Sequence, residues 1–175
     1  FTDFERLEAR ACVDYVVPGT PLDPYDCIII PGTKNTIADL ALIRECGWGV
    51  ELGRARERGV PIIGICGGYQ MLGRELVDSG VEERRGSYQG LGLLDVSTRF
   101  ERYEKETVRL ERTARPVAPI LSRMGTVQGY EIHMGKTERG ETGEAFEGGG
   151  AVSPDGLVIG TYLHGLFENP GAVDA

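Results

Sequence analysis

The sequence lacks the features that mark membrane-spanning, disulfide-rich and metal-binding chains. No apolar run approaches the roughly 20 residues that a membrane helix needs. The four cysteines are scattered, with no Cys-x-x-Cys pair and no metal-ligand spacing. We therefore expect no membrane association, no metal site and no disulfide framework, and we expect the reducing cytoplasm as the compartment.

Signatures of nucleotide and nucleic-acid binding are also missing. Lys and Arg total 19 against 27 Asp and Glu, and the resulting net charge of −8 argues against a nucleic-acid binder. No Gly-x-x-x-x-Gly-Lys loop is present, and the glycines in 86–92 and 148–150 do not form a dinucleotide fingerprint. We therefore expect no nucleotide cofactor in this chain.

The size and composition fit one globular domain. The chain has 175 residues, 41% of them hydrophobic, which is enough for a sizeable core. No linker divides it, so we predict a single domain over residues 1–175. The chain opens on Phe1 rather than Met, and we expect this domain to come from a longer protein.

The stretch Pro61–Gly73 is the most informative part of the sequence. An apolar run ends at Gly64-Ile-Cys-Gly-Gly68, the Gly-x-nucleophile-x-Gly spacing of a strand–turn–helix elbow. Glycines flank a nucleophile there because the tight turn leaves no room for side chains. A thiol at Cys66 would face a helix N-terminus, which favours the thiolate. The alternative is a buried strand that ends at a glycine turn, with Cys66 as a small core residue.

The residues before the elbow predict a βαβ pattern. Asp26–Ile30 is an apolar run typical of a buried parallel strand. Asn35 or Thr36 would cap a following helix, and a second helix is predicted over Val50–Arg58. Strand–helix–strand–helix order favours an α/β fold with a parallel sheet, in which ligands bind beyond the carboxyl ends of the strands. Pro31–Thr33 and Cys66 are both at such ends, so we expect them to face each other.

The second half predicts shorter and partly antiparallel strands. We predict a turn at 153–156, a loop rich in Gly and Glu over 137–150, and a solvated charged run over 82–85. The predicted strands of this half are 90–96, 105–111, 127–133 and 157–163. In the first half, residues 12–17 are a weaker candidate for a strand.

A nucleophilic cysteine needs a base, and the chain has only two histidines. His164 ends an apolar run and precedes glycine, so its ring would be unobstructed; His133 is also followed soon by a glycine. Spacing alone does not choose between them, although His164 is the better placed. Glu168 and Glu131 are candidates for a group that orients the imidazole.

An oxyanion that forms on a substrate needs N–H donors. The amide of Gly67 is one candidate, and the Gly32–Thr33 loop could supply another. Gln70, on the first turn after the elbow, would point into the pocket. The plainer interpretations are an ordinary strand-to-helix turn at Pro31–Gly32 and a surface glutamine at position 70.

Four stretches together resemble one family, the C-terminal glutamine amidotransferase domain of cobyric acid synthase. They cover nearly the whole chain and are Pro31–Leu40 (PGTKNTIADL), Gly64–Gly73 (GICGGYQMLG), Gly129–Gly135 (GYEIHMG) and Gly160–Asn169 (GTYLHGLFEN). The resemblance implies an α/β, class I amidotransferase-like (flavodoxin-like) fold. Such a fold has a mostly parallel sheet, helices on both faces and an antiparallel extension.

The same resemblance implies the roles of individual residues. Cys66 would be the nucleophile and His164 the general base, with His133 and Glu131 as secondary pocket residues. Most class I relatives carry glutamate two residues after the histidine, where this chain has Leu166. A Cys-His dyad is therefore expected. Thr33 stands where many relatives carry serine, which leaves a backbone oxyanion role intact.

The resemblance also implies partners. Glutamine would be the substrate here. An N-terminal synthetase domain in cis, absent from this chain, would bind ATP, Mg and the corrinoid substrate that receives the ammonia. The alternatives are the amidotransferase domain of cobyrinic acid a,c-diamide synthase, that of a peptidoglycan-precursor amidating complex, a different cysteine-elbow hydrolase or chaperone, and a non-enzymatic binding module of the same fold.

Overall fold

Short strands and short helices alternate through the first half of the chain, as the sequence predicts. The computed structural model describes residues 4–101 and 107–175. Its strands are β1 (Ile28–Ile30), β2 (Ile62–Ile65), β3 (Glu75–Asp78), β4 (Gly86–Gln89), β5 (Val96–Phe100), β6 (Val108–Thr113), β7 (Thr126–Glu131), β8 (Lys136–Arg139), β9 (Ala151–Val152), β10 (Val158–Thr161) and β11 (Leu163–His164). Its α-helices are α1 (Glu5–Glu8), α2 (Thr36–Glu45), α3 (Trp48–Glu57), α4 (Gly67–Leu72), α5 (Leu121–Met124) and α6 (Pro170–Val173).

The central sheet has the strand order β1-β2-β10-β9. β1, β2 and β10 are parallel, and β9 pairs antiparallel at one edge. Every residue of β2 and β10 is buried, which strands covered on both faces require. Ile65 pairs with Thr161, so β2 and β10 end side by side. The predicted α/β architecture with a parallel core sheet is confirmed.

Alternate residues of the central strands face two separate cores. Ile62 and Val158 belong to the core that includes apolar residues of α2, α3 and α4. Ile63 and Ile159 belong to the other core, which includes apolar residues of α5, α6 and β7. Because successive strand residues point to opposite faces, each strand contributes to both cores.

The antiparallel part of the fold forms two small sheets rather than one extension. One has the order β11-β7-β6, and the other has the order β4-β3-β5-β8, in which β3 and β5 are parallel. The first sheet matters for the site, because β11 carries His164 and pairs with β7.

The two predicted helices before the elbow are confirmed. Asn35 caps α2, and its side chain accepts a hydrogen bond from the backbone N–H of Ala38. Ile37, Leu40 and Ile43 are the apolar residues that α2 buries, which matches the spacing of one helix face.

Three predictions of strands and loops, two in the second half and one near the N-terminus, are wrong in part. Residues 91–94 do not form the strand predicted over 90–96, because their N–H groups bond the last carbonyls of α4 and the following Gly73. β8 occupies the start of the loop predicted over 137–150, where it pairs with β5. Residues 12–17, the weaker candidate, do not form a strand. Of the strand predicted over 105–111, residues 105 and 106 lie outside the described residues, and the rest overlaps β6.

The longest helices of the described residues, α2 and α3, have ten residues each, and no described helix is long and apolar enough to cross a membrane.

Candidate active site

Cys66 occupies a strained turn between β2 and α4. Its backbone has φ 53° and ψ −111°, and it is the one residue other than glycine with positive φ in the described ranges 4–101 and 107–175. Such a conformation costs about 1–3 kcal/mol and persists only where the surroundings enforce it. Here the Cys66 N–H donates to the carbonyl of Thr161 at 2.8 Å. The turn has the strand–turn–helix geometry that the sequence predicts around Cys66.

The flanking glycines are required by close backbone contacts. A Cβ atom at position 64 would lie 2.7 Å from the Tyr69 nitrogen, and one at position 68 would collide with the carbonyl of Ile30. The elbow therefore packs directly against β1, and only glycine fits at these two positions. The half-buried Cys66 keeps its side chain at the carboxyl end of the sheet.

Gly32 lies between Cys66 and the imidazole of His164. A Cβ atom at position 32 would lie 3.2 Å from His164 Cε1 and 3.4 Å from Cys66 Cβ. Cys66 and His164 therefore flank the same small residue, and the predicted approach of the Gly32 loop to Cys66 is confirmed. A side chain at position 32 would therefore crowd both Cys66 and the imidazole of His164.

The Gly32–Thr33 loop also contacts the residue after the nucleophile. A Cβ atom at Gly67 would lie 3.3 Å from the Thr33 nitrogen and 3.3 Å from Thr36 Oγ1. The Thr33 hydroxyl is turned away to donate to the carboxylate of Asp39. The Thr33 methyl group, with which the same Cβ atom would collide, and the Thr33 backbone nitrogen are thus the parts of this residue that face the elbow.

His164 is held by the small antiparallel sheet. It pairs with Tyr130 across β11 and β7, and the two rings stack with centroids 5.2 Å apart and planes 13° apart. Glu168, a candidate for orienting the imidazole, accepts a hydrogen bond from Arg6 at 2.9 Å in an ion pair whose side chains are about half exposed. The Tyr130 ring is one contact of the His164 imidazole on this side.

His133 lies in the same cavity but is engaged elsewhere. Its ring stacks on Tyr162 with centroids 3.6 Å apart, and its Nδ1 is 3.1 Å from the carbonyl of Gly135. A carbonyl only accepts, so Nδ1 carries the hydrogen. Burial lowers the pKa of His133, which favours a neutral ring.

The Glu131 side chain is engaged by Arg112. The Glu131 carboxylate pairs with Arg112 at 3.4 Å and lines a second, smaller cavity with Tyr69 and Tyr162. Because side chains alternate along β7, Glu131 points away from the ring of Tyr130 and His164.

Gln70 is buried and fully bonded rather than on the surface. Its Oε1 accepts from the Thr36 hydroxyl at 3.1 Å, and its Nε2 donates to the carbonyl of Met134 at 2.7 Å and to the Tyr162 hydroxyl at 3.0 Å. The Tyr162 hydroxyl is also hydrogen-bonded to the Thr137 hydroxyl. Gln70 therefore ties α4 to α2 and to the segment after β7 at the rim of the cavity.

The prediction that 82–85 is a solvated charged run is wrong for Glu82. This side chain is half-buried and accepts hydrogen bonds from the N–H groups of Thr36 and Ile37 and from the Thr36 hydroxyl. Burial raises the pKa of the Glu82 carboxyl, although these hydrogen bonds act to lower it. Nothing in the local sequence links residue 82 to a helix that begins 46 residues earlier, so the contact could not be inferred from the pattern.

One cavity of about 2030 Å³ joins these groups. It extends from the elbow along β1 towards the N-terminal segment, and its lining includes Cys66, His164, His133, Gln70 and Glu82. Among residues 4–101 and 107–175, no group of three or more His, Cys, Asp or Glu residues is arranged as metal ligands. The arrangement of a strained thiol, an imidazole and an open backbone loop is suited to nucleophilic attack on a carbonyl group.

Two relatives with sequences similar to this chain have the same description. The chain is 64% identical over 176 residues to a protein of Methanoculleus marisnigri described as a probable cobyric acid synthase, and 61% identical over 175 residues to one of Methanosphaerula palustris with the same description. All of this chain is covered in both comparisons, but only 36% of each relative. The chain thus spans about a third of the length of these relatives.

Solved structures and a family model agree on the fold. A crystal structure described as a glutamine amidotransferase has a TM-score of 0.65 at 18% identity, covering 99% of this chain and 87% of that one. The structure of PurLQS from Thermotoga maritima has a TM-score of 0.67 at 17% identity, covering 98% and 87%. The model of the CobB/CobQ-like glutamine amidotransferase domain matches residues 1–172. The chain therefore belongs to the family of CobB/CobQ-like glutamine amidotransferase domains.

Proposed function

We propose that this domain hydrolyses glutamine to glutamate and ammonia with Cys66 as nucleophile and His164 as general base. The observation that carries the proposal is the position of Gly32, which both side chains flank at the carboxyl ends of neighbouring parallel strands. Ligands of open α/β sheets bind at this edge. Membership of the amidotransferase family supports the same chemistry.

In the proposed first half-reaction, His164 takes the Cys66 proton and the thiolate attacks the side-chain amide carbon of glutamine. The N–H groups of Gly67 and the Gly32–Thr33 loop stabilise the oxyanion of the tetrahedral intermediate. The carbon–nitrogen bond then breaks, and the imidazolium returns its proton to the leaving nitrogen, which departs as ammonia. A thioester between Cys66 and the glutamyl group remains.

Water completes the reaction. His164 removes a proton from the water as its oxygen attacks the thioester, and the carbon–sulfur bond breaks to release glutamate and the Cys66 thiolate. Gln70 lies at the rim of the cavity, where it would border the bound glutamine. His133 and Glu131 act as secondary pocket residues in this proposal, and Glu131 does so through its ion pair with Arg112.

We further propose that the ammonia is used in a larger protein. The relatives described as probable cobyric acid synthases are almost three times as long as this chain, so the remaining length would hold a synthetase domain. That domain would bind ATP and Mg and amidate carboxylates of adenosylcobyrinic acid a,c-diamide in cobalamin biosynthesis. The amidotransferase domain itself would need no cofactor, and the protein would work in the cytoplasm.

Covalent labelling tests the core of the proposal. A diazo-ketone analogue of glutamine should modify the protein stoichiometrically, and peptide mapping should place the adduct on Cys66. Excess glutamine should protect the thiol, whereas excess asparagine should not, because its amide is one methylene short of the thiol. Labelling that glutamine does not slow would contradict glutamine specificity and favour a different cysteine-elbow hydrolase. No labelling at all would favour a binding module.

Assay of the intact protein with its acceptor tests the finer assignment. Glutamine-dependent amidation of adenosylcobyrinic acid a,c-diamide is the expected result. Amidation of cobyrinic acid or of a peptidoglycan precursor instead would assign the chain to one of the sister amidotransferases.

A further inference from the structure

We infer that Glu82 is a positioning residue for the proposed glutaminase site, acting on Gln70 through the hydroxyl of Thr36. This inference rests on the proposed function and extends it to a loop that carries none of the residues assigned above. Its basis is a continuous chain of contacts from a loop between β3 and β4 to the rim of the cavity.

The loop that presents Glu82 is itself held firmly. Asp78 is 1% exposed at the end of β3, and its carboxylate accepts from the N–H groups of Gly80, Val81, Glu82 and Glu83 at distances from 2.7 to 3.4 Å. Burial opposes ionisation, but the four donors together hold the pKa of Asp78 below its ordinary value. A carboxylate that organises four consecutive amides fixes the direction in which Glu82 leaves the loop.

Both oxygens of Glu82 are occupied by the start of α2. Oε2 accepts from the Thr36 N–H at 2.9 Å and from the Ile37 N–H at 3.4 Å, two of the donors that a helix cannot satisfy internally. Oε1 is 3.1 Å from the Thr36 hydroxyl. Because α2 engages both oxygens, the geometry favours positioning over direct contact between Glu82 and a substrate.

The Thr36 hydroxyl connects Glu82 to the active site. Its oxygen is also 3.1 Å from Gln70 Oε1, it is 2% exposed, and it lies 3.3 Å from the position of a Cβ on Gly67. The single hydrogen of this hydroxyl lies between two acceptors, Glu82 Oε1 and Gln70 Oε1. The negative charge on Glu82 therefore determines how strongly the hydroxyl is drawn towards Glu82, and so how strongly it binds Gln70. The same contact anchors the helix that follows the Gly32–Thr33 loop.

The experiment compares Glu82→Gln with Glu83→Gln in the intact protein. Both variants remove one negative charge from the same loop, but Glu83 is exposed and accepts from the Asn35 side chain, a bond that glutamine can keep. We expect Glu82→Gln to lower kcat/KM for glutamine hydrolysis about tenfold or more, as loss of a hydrogen bond to a charged group does. Glu83→Gln should stay within about twofold of the wild type.

Two further measurements separate positioning from a general effect on the fold. The rate at which iodoacetamide alkylates Cys66 should be the same in Glu82→Gln and the wild type, because alkylation does not depend on the pocket for glutamine. The melting temperature should fall by only a few degrees, because α2 loses a charged acceptor at its N-terminus but keeps its other contacts. A fall in alkylation that matches the fall in kcat/KM would overturn the inference. So would a kcat/KM within about twofold of the wild type.

A double-mutant cycle tests the route through Thr36. Thr36→Val removes the hydroxyl and keeps the backbone N–H, and Thr36→Ser restores the hydroxyl. We expect Thr36→Val to resemble Glu82→Gln, Thr36→Ser to recover most of the activity, and the double variant to be no worse than the more damaged single variant. Additive losses would overturn the route through Thr36. A wild-type protein that does not hydrolyse glutamine would instead refute the proposed function itself.

Discussion

Cys66 and His164 follow neighbouring parallel strands, β2 and β10, but the chain holds them by different means. Cys66 follows its strand directly, in a turn whose backbone is fixed by the glycines around it. His164 stands three residues beyond β10 and is held by β7, through pairing and stacking with Tyr130. Cys66 is thus placed by the turn that it occupies, and His164 by a contact between segments more than 30 residues apart in sequence.

This difference predicts how substitutions near Cys66 and near His164 should affect folding and activity. The position of Cys66 is coupled to the backbone of β1 and β2, so changes near it should affect folding and chemistry together. The position of His164 depends on a small sheet at the side of the molecule, so changes there should affect chemistry more than the central fold. The predictions below test this contrast, beginning with the largest effect.

Cys66→Ala should abolish glutamine hydrolysis, a loss of at least about a thousandfold, because Cys66 is the thiol that flanks Gly32 together with His164. The far-ultraviolet circular dichroism spectrum should stay that of the wild type. A steady-state assay that finds more than about one per cent of wild-type activity would show that Cys66 is not the nucleophile.

His164→Ala should be nearly as damaging as Cys66→Ala, because the thiol then lacks its base. His133→Ala is the matched control, since His133 lines the same cavity but is bonded to Gly135 and stacked on Tyr162. We expect its loss of kcat/KM to be within about tenfold. If His133→Ala proves the more damaging variant, the assignment of the base is wrong.

Gly32→Ala should lower kcat/KM about ten- to a hundredfold, because the added methyl enters the space between His164 Cε1 and Cys66 Cβ. The control is Gly53→Ala in α3, where a Cβ atom meets nothing within 4 Å. That variant should keep full activity and gain up to about 1 kcal/mol of stability from helix propensity. Equal activities for both variants would contradict the close approach at Gly32.

Replacing Cys66 with glycine rather than alanine should reveal the strain in the elbow. Only glycine adopts φ 53° with ψ −111° without strain, so Cys66→Gly should have a free energy of unfolding about 1 kcal/mol higher than Cys66→Ala. Urea denaturation of both inactive variants measures the difference. A more stable alanine variant would indicate that the turn is not strained.

The smallest predicted effect is a pH dependence at His133. Burial lowers its pKa, although Glu131 opposes this and His164 adds to it. As the pH falls through the ordinary histidine value, the unfolded chain takes up a proton that the folded chain resists. The wild type should therefore lose up to about 1 kcal/mol more stability between pH 7.5 and 5.5 than His133→Phe does. Urea denaturation at both pH values is the measurement, and equal losses would contradict the shift.

The elbow and α2 were predictable because their signals are local. Gly64 and Gly68 flank Cys66 at the spacing of a tight strand-to-helix turn, which the sequence shows directly, and Asn35 precedes Ile37, Leu40 and Ile43 at helical spacing. Residues 90–96 misled the prediction because an apolar run flanked by glycines does not reveal what its N–H groups bond. In the folded chain they bond the end of α4.

The contacts of Glu82 and Gln70 could not be predicted from the sequence, because they are not local. Each joins segments that are 34 to 92 residues apart in sequence, and such partners carry no periodicity. Glu131 is an intermediate case, because its place on β7 was predicted but its partner Arg112 lies on the neighbouring strand β6.

By itself, the sequence determined the parallel α/β core, the position of the thiol on a glycine-flanked turn, and the shortage of histidines that left two candidates for the base. These follow from steric limits and side-chain periodicity over a few residues. Only the tertiary structure decided that His164 rather than His133 flanks Gly32 together with Cys66, and that Glu82 reaches α2. Strand pairing and helix docking set those distances, and they depend on the packing of the whole chain.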